Sequence, residues 1–161
     1  MKYKPIIVIG GEPNSIFLEI FFKSLKKVKI KSPIILVASL SLVKLQMSKL
    51  NIKKKIKILD KYDLNKYKLD NNCVNLVNVK FNQKKAFQKI SSKSNLYIKN
   101  CFDIAFKILK KNNIEKFING PISKKTFLKK NFLGITEYIS HKFNKKKYAM
   151  LIFNKNLSVC P

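Results

Sequence analysis

Two glycine-containing turns hold the residues of this chain best suited to ligand binding. The first, Gly10-Gly11-Glu12-Pro13, comes directly after the apolar run 6–9. The second reads Asn119-Gly120-Pro121-Ile122-Ser123-Lys124 and also follows a short apolar run. Glycine at a strand-to-helix turn lets the backbone bend sharply or approach a bound phosphate closely. Neither turn has the spacing of a dinucleotide fingerprint or a P-loop, so a purely structural turn is the favoured interpretation of each.

Among the polar residues near these turns, Lys124 is the strongest candidate ligand-binding side chain. It stands one position inside the helix predicted after the second turn. A lysine at a helix start opposes the helix dipole and is unfavourable unless an anion binds there. A phosphate or carboxylate site is therefore a reasonable hypothesis, and a solvated lysine is the favoured alternative. Glu12 and Glu137 stand out because they lie in turn-rich segments, whereas a single histidine, His141, predicts no metal site.

Short β-branched runs alternate with segments of helical period along the chain. Strands are predicted at 6–9, 34–38, 55–59, 74–79 and 114–118, helices at 16–25, 41–50, 94–111, 123–131 and 136–143, and a β-hairpin at 148–160. This alternation predicts an α/β fold with a mainly parallel sheet. Ligands of such sheets bind beyond the carboxyl ends of the strands, which is where both turns are expected.

The chain carries a formal charge of +27 over 161 residues. All 35 basic residues are lysines, and they are spread along the whole sequence. Arginine supplies the bidentate contacts that nucleic-acid readers favour, so its absence argues against specific nucleic-acid binding. Codon bias of an AT-rich genome is the favoured explanation of the charge, and a basic nucleic-acid-binding module is the alternative.

Composition also restricts the cellular setting. Hydrophobic residues make up 46% of the chain, as in globular proteins, yet no apolar run is long enough to span a bilayer. The N-terminus lacks the apolar core of a signal peptide. The three cysteines are odd in number and widely spaced, so they predict neither a disulfide framework nor a metal site. We therefore expect a cytoplasmic protein with no membrane partner.

Four segments together resemble the 4-hydroxythreonine-4-phosphate dehydrogenase family of pyridoxal phosphate biosynthesis. They occur in the family's order, at 6–16, 118–124, 132–138 and 148–160. The first resembles the family's strand and Gly-Glu-Pro turn, with Ser15 where a glycine is usual. The second resembles its Gly-Pro-x-x-Lys turn. The third resembles its Gly-His-Thr-Glu segment, with Ile135 where the family has histidine.

The resemblance implies a three-layer α/β fold like that of the isocitrate and isopropylmalate dehydrogenases. The family typically exceeds 300 residues, so we expect this chain to be its N-terminal half, a fragment. Residues 1–131 would be part of the first domain, and residues 132–161 would begin a second, truncated domain.

The resemblance further implies NAD- or NADP-dependent oxidation and decarboxylation of a phosphorylated substrate by a homodimer holding Zn, Mg or Co. Thr136, Ile135 and Lys124 would contact the substrate, and Gly11, Glu12, Pro13, Gly120 and Pro121 would form turns near the site. No catalytic residue and no metal ligand is assigned to this chain, because the family's metal-binding histidines come later. The fragment alone is therefore expected to be inactive, and a paralogue acting on another 4-phosphorylated hydroxy acid is an alternative.

Overall fold

The computed structural model describes residues 3–129 and 131–160. These fall into two compact units, Met1–Ile122 and Ser123–Pro161. The unit boundary lies nine residues before the sequence-based boundary between 131 and 132. The boundary between 131 and 132 rests on the resemblance to a longer family, and it stays a prediction.

The first unit is built on a single parallel sheet. Its described residues form five strands in the order β3-β4-β2-β1-β5, and every neighbouring pair is parallel. The strands are β1 (Ile6–Ile9), β2 (Ile34–Ala38), β3 (Ile56–Ile58), β4 (Val74–Asn78) and β5 (Phe117–Asn119). All five residues of the central β2 are buried, which explains its uninterrupted apolar sequence.

Helices cover both faces of this sheet, as the sequence predicted. They are α1 (Phe17–Lys27), α2 (Leu40–Lys49) and α3 (Asn95–Lys111). The connections that lead into β2 and β3 cross the sheet toward its β3 edge. The connections that lead into β4 and β5 cross it toward the β5 edge. Right-handed crossovers therefore place α1 and α2 on one face and α3 on the opposite face. The predicted three-layer α/β fold is confirmed.

The core of the first unit lies between the sheet and these helices. Phe22 of α1 and Phe102 of α3 are each 2% exposed or less and pack on opposite faces. The apolar positions that recur at helical spacing on α3 are buried, including Ile98, Cys101 and Ala105. Helix α3 begins at Asn95, one residue after the predicted start, because Ser92–Ser94 forms a 3₁₀ turn before it.

The second unit departs from the sequence-based prediction in two places. The helix expected from Ser123 to about Asn131 is a five-residue π-type turn, Lys124–Leu128, which ends where Lys129 adopts a left-handed conformation. The helix expected at 136–143 is present as α4 (Ile135–Lys142). The expected hairpin contains one antiparallel bridge, between Ile152 and Val159. Its residues are exposed on both sides, and an isolated two-stranded hairpin has little to stabilise further pairing.

No helix within the described ranges combines the length and the apolar character needed to cross a membrane.

Candidate functional site at the carboxyl edge of the sheet

The two glycine turns contact each other directly at the carboxyl edge of the sheet. Strands β1 and β5 are neighbours, with Ile9 paired to Asn119. The Gly120 amide donates to the Ile9 carbonyl at 2.7 Å, and the Glu12 amide donates to the Pro121 carbonyl at 2.8 Å. Parallel pairing of the two strands thus brings together turns that are 110 residues apart in sequence (10 to 120).

This contact accounts for the glycines of both turns. Gly11 has a φ of 65°, and a Cβ there would lie 2.5 Å from the Pro121 carbonyl oxygen. A Cβ on Gly120 would lie 2.6 Å from the Gly10 carbonyl oxygen. Both distances are shorter than any van der Waals contact, so the two backbones can meet only where neither residue has a side chain. The structural interpretation of the glycines therefore suffices, without a ligand.

Glu12 is buried beside this contact and is 2% exposed. Its Oε1 accepts from the Asn14 amide at 3.2 Å, and its Oε2 accepts from the Ser94 hydroxyl at 2.9 Å. Ser94 lies 82 residues away, directly before α3. The carboxylate therefore ties the first turn to the start of the longest helix, a role that its turn-rich sequence context did not reveal.

Sequence reasoning missed Gln46, which fixes the same turn from the other side. Gln46 of α2 is fully buried, and its Nε2 donates to the Pro13 carbonyl at 2.8 Å. A signal for it existed, because Gln46 is the one polar residue on the helix face formed by Leu42, Val43 and Met47. A polar side chain on an otherwise apolar face must have a buried partner.

Sequence reasoning also missed Asn14. Its Oδ1 accepts from the Gln83 side chain and from the Gln88 backbone amide, both at 2.9 Å. Helix α1 begins after Ile16 without a side-chain cap, although the Ser15 hydroxyl accepts from the Phe17 amide at 3.3 Å. Asn14 therefore organises the 80–94 loop and does not cap α1.

Tyr97 and Cys101 lie one helical turn apart on the buried face of α3. The Tyr97 hydroxyl accepts from the Ser39 amide at 3.1 Å, just beyond the carboxyl end of β2. Burial raises the pKa of the Cys101 thiol to about 12, and burial followed by repulsion from Cys101 raises the pKa of Tyr97 well above its usual value. Both groups are therefore neutral at physiological pH, and they act as packing and hydrogen-bonding groups.

In the second unit, Lys124 opens the π-type turn and its side chain is exposed. The Ser123 side chain caps this turn by accepting from the Thr126 amide at 3.2 Å. The exposed ammonium of Lys124 is free to meet an anion, and its role in substrate binding stays a prediction.

Ile135 and Thr136 occupy the first turn of α4, where helix amides lack intrahelical acceptors. Phe127 and Phe132 each pack edge-to-face on Tyr138 with ring centroids 5.4 Å apart, which joins the π-type turn to α4. The aromatic contact positions the Lys124 turn and the Thr136 turn within one small unit. The substrate-binding roles of Ile135 and Thr136 likewise remain predictions.

A metal site does not fit the described part of the chain. It contains no group of three or more His, Cys, Asp or Glu side chains close enough to hold an ion. His141 packs against the Phe132 ring at 5.4 Å and is exposed, as expected for a surface histidine. We therefore derive no catalytic step through a metal held by these residues.

Comparison with protein families decides the chain's relationship. The family described as pyridoxal phosphate biosynthetic protein PdxA matches residues 29–161. The chain belongs to this family. The match includes the second turn, Lys124, Ile135 and Thr136, whereas the first glycine turn lies before its start. No curated protein sequence matches the chain.

Solved structures similar to this PdxA-family chain show the same fold. A 4-hydroxythreonine-4-phosphate dehydrogenase from Burkholderia phymatum aligns with a TM-score of 0.80 at 14% identity. The enzyme of that name from Klebsiella pneumoniae aligns with a TM-score of 0.79 at 17% identity. Each alignment covers 98% of this chain and 49% of the other. The chain thus spans about half the length of these structures, and identity at this level shows the fold alone.

Proposed function

We propose that the chain forms the N-terminal half of an NAD(P)-dependent 4-hydroxythreonine-4-phosphate dehydrogenase. In the proposed reaction, the C3 hydroxyl of 4-phosphohydroxy-L-threonine loses a hydride to NAD+ or NADP+. The resulting 2-amino-3-oxo acid loses CO₂ and gives 3-amino-2-oxopropyl phosphate. The observation that carries the proposal is the PdxA-family match over residues 29–161.

Within this proposal, the second unit anchors the anionic substrate. Lys124 offers an exposed ammonium group, and Thr136 offers a hydroxyl in the first turn of α4. Charge-assisted hydrogen bonds to phosphate or carboxylate are the strong ones in proteins, and helix N-termini favour negative charge. These residues bind and orient the substrate; they are not the groups that accept the hydride or proton.

Ile135 sets a limit on the proposed substrate. Its side chain cannot donate the hydrogen bond that the family's histidine would supply at this position. Loss of one hydrogen bond to a charged group costs about 1.5–3 kcal/mol of binding. A paralogue acting on a threonate or erythronate 4-phosphate is the second candidate, because Ile135 replaces the histidine with which the family contacts its usual substrate.

The remaining features of the proposal concern the complete enzyme. It would use NAD or NADP and a divalent Zn, Mg or Co ion whose ligands lie outside the described residues. It would act as a cytoplasmic homodimer on a phosphorylated small molecule, without a specific nucleic-acid or membrane partner. The 161-residue chain on its own is proposed to be inactive.

A chimaera tests the proposal directly. The first half of the Klebsiella pneumoniae enzyme is replaced by this chain over the aligned region. We expect NADH formation from 4-phosphohydroxy-L-threonine, absent with the 161-residue chain alone, and a severalfold higher rate after Ile135→His. The Ile139→His substitution, on the same helix, is the control and should give no gain.

Circular dichroism and gel filtration establish that the chimaera is folded. A folded chimaera that binds NAD but forms no NADH, with or without Ile135→His, would contradict the proposed function. NADH formation by the isolated chain would contradict its proposed inactivity.

A further inference from the structure

A cavity of about 320 Å³ lies in the first unit beneath the 80–94 loop. The loop leaves the carboxyl end of β4 and leads into α3. Its lining includes Asn14, Phe81, Gln83 and the three lysines Lys84, Lys89 and Lys93. We refer to this space as the loop cavity. The proposed function gives it no role.

The loop cavity is positively charged. No aspartate or glutamate belongs to its lining. Among the described residues, the ion pairs involve other lysines, so Lys84, Lys89 and Lys93 have no carboxylate partner. Unpaired lysines that converge on a recess attract an anion more strongly than the same charges spread over a surface.

The wall of the cavity is held by hydrogen bonds to the segment that follows β1. Asn14 accepts from Gln83 and Gln88, and its own amide donates to Glu12. The same Glu12 carboxylate accepts from Ser94 at the far end of the loop. Because Glu12 and Ser94 are each 2% exposed, this hydrogen bond fixes to the core the end of the loop that leads into α3. A recess built this way is preformed and costs little ordering on binding.

Phe87 supplies a sign of imposed geometry in the same loop. Its φ is 55°, a left-handed conformation that a phenylalanine rarely adopts. The next residue, Gln88, donates its amide to Asn14, which holds the strained peptide in place. Backbone strain of this kind concentrates at active sites and ligand-binding segments.

The cavity also lies where α/β sheets bind ligands. The connections after β2 and β4 leave toward opposite faces, so the strand order reverses between these two neighbours. Just beyond these strands, the Ser39 and Ser41 hydroxyls after β2 both donate to the Phe81 carbonyl after β4, at 2.9 and 2.8 Å. Crevices at such a reversal, outside the carboxyl ends of the strands, are the usual ligand sites of open α/β sheets.

We propose that the loop cavity binds a small phosphate monoester. Three lysines match a dianion, and the volume suits a molecule about the size of glycerol 3-phosphate. The buried carboxylate of Glu12 would repel an anion. Hydrogen bonds from the Asn14 amide and the Ser94 hydroxyl reduce this repulsion, and the three lysines exceed it in charge. This site belongs to the first unit, and its occupation does not depend on the proposed dehydrogenase activity.

Nuclear magnetic resonance titration of the complete chain tests this proposal, with glycerol 3-phosphate as ligand and glycerol as the uncharged comparison. We expect saturable amide shifts confined to 81–94 and Asn14 with glycerol 3-phosphate, and none with glycerol. The Lys84→Gln/Lys93→Gln variant should bind at least tenfold more weakly. Lys29→Gln/Lys31→Gln removes the same charge from exposed positions before β2 and should leave the dissociation constant unchanged.

Three results would overturn the proposal. The first is a set of amide shifts that change linearly across lysine-rich surfaces without saturation. The second is equal weakening of glycerol 3-phosphate binding in the two double variants. Either would show binding by net charge alone. The third is tighter binding of a short single-stranded oligonucleotide at the same residues, with a steep salt dependence, which would assign the surface to nucleic acid. A native-like spectrum of each variant shows that its fold is intact.

Discussion

Gly11 leaves no room for a side chain, because its φ is positive and its backbone contacts Pro121. Alanine would have to adopt a φ near 65° and would place its Cβ 2.5 Å from the Pro121 carbonyl oxygen. The left-handed conformation costs about 1–2 kcal/mol, and the backbone overlap adds about 1–3 kcal/mol. We expect Gly11→Ala to lower the free energy of unfolding by about 2–5 kcal/mol in urea denaturation.

The matched control for this prediction is Gly10→Ala in the same turn. A Cβ on Gly10 would lie 3.2 Å from the Ala38 Cβ, so a shift of a few tenths of an ångström relieves it. Its cost should be smaller than that of Gly11→Ala by at least about 1 kcal/mol. Equal costs for the two variants would show that the contact between turns is not what requires glycine.

Residue-level prediction from sequence succeeded for the turns and failed for their supports. The glycines of both turns are local signals, and the sequence identified them. Gln46 and Ser94 form hydrogen bonds to residues 33 and 82 positions away. The residues next to them in sequence do not indicate these partners. Only the fold brings such groups together, so their hydrogen bonds could not be assigned from the sequence.

At the scale of the secondary-structure element, two buried side chains of helix α3 make the folded chain less stable at alkaline pH. Tyr97 and Cys101 have raised pKa values because burial disfavours their charged forms. Once the pH exceeds the unfolded-state pKa, the unfolded chain loses protons that the folded chain still holds, so stability falls. For Cys101 this decline runs from about pH 9 to about pH 12, and the loss amounts to up to about 1.4 kcal/mol per pH unit.

Urea denaturation as a function of pH tests the role of the thiol. We expect Cys101→Ala to give a shallower loss of stability above about pH 9 than the parent chain, with Tyr97 responsible for the remaining slope. Cys160→Ala removes an exposed cysteine and should leave the slope unchanged. An identical slope in all three proteins would contradict a buried, neutral Cys101.

The elements themselves were largely predictable in the first unit and less so in the second. Strands buried on both faces and the 3.6-residue period of α3 are strong sequence signals. The 123–131 segment has a helix cap but few buried positions, and Leu128 is the one buried residue of its π-type turn. With little packing to extend it, the helical turn stops after five residues.

At the scale of the whole molecule, the charge of +27 has few local counterparts. The described residues form four ion pairs, all on exposed lysines. Exposed pairs of this kind contribute about 0–1 kcal/mol each. The positive charge is therefore largely uncompensated, and its self-repulsion destabilises the folded chain.

The contrast between adjacent lysines of the second unit, Lys124 and Lys125, gives the most direct test of the proposed function. Both are exposed in one turn and carry the same charge. The measurement is the dissociation constant of 4-phosphohydroxy-L-threonine for the purified chain, by calorimetry, in the parent, Lys124→Gln and Lys125→Gln proteins. We expect Lys124→Gln to weaken binding about tenfold or more and Lys125→Gln to change it less than twofold, because only Lys124 would pair with the substrate. No binding, or equal weakening by the two substitutions, would contradict the proposed function.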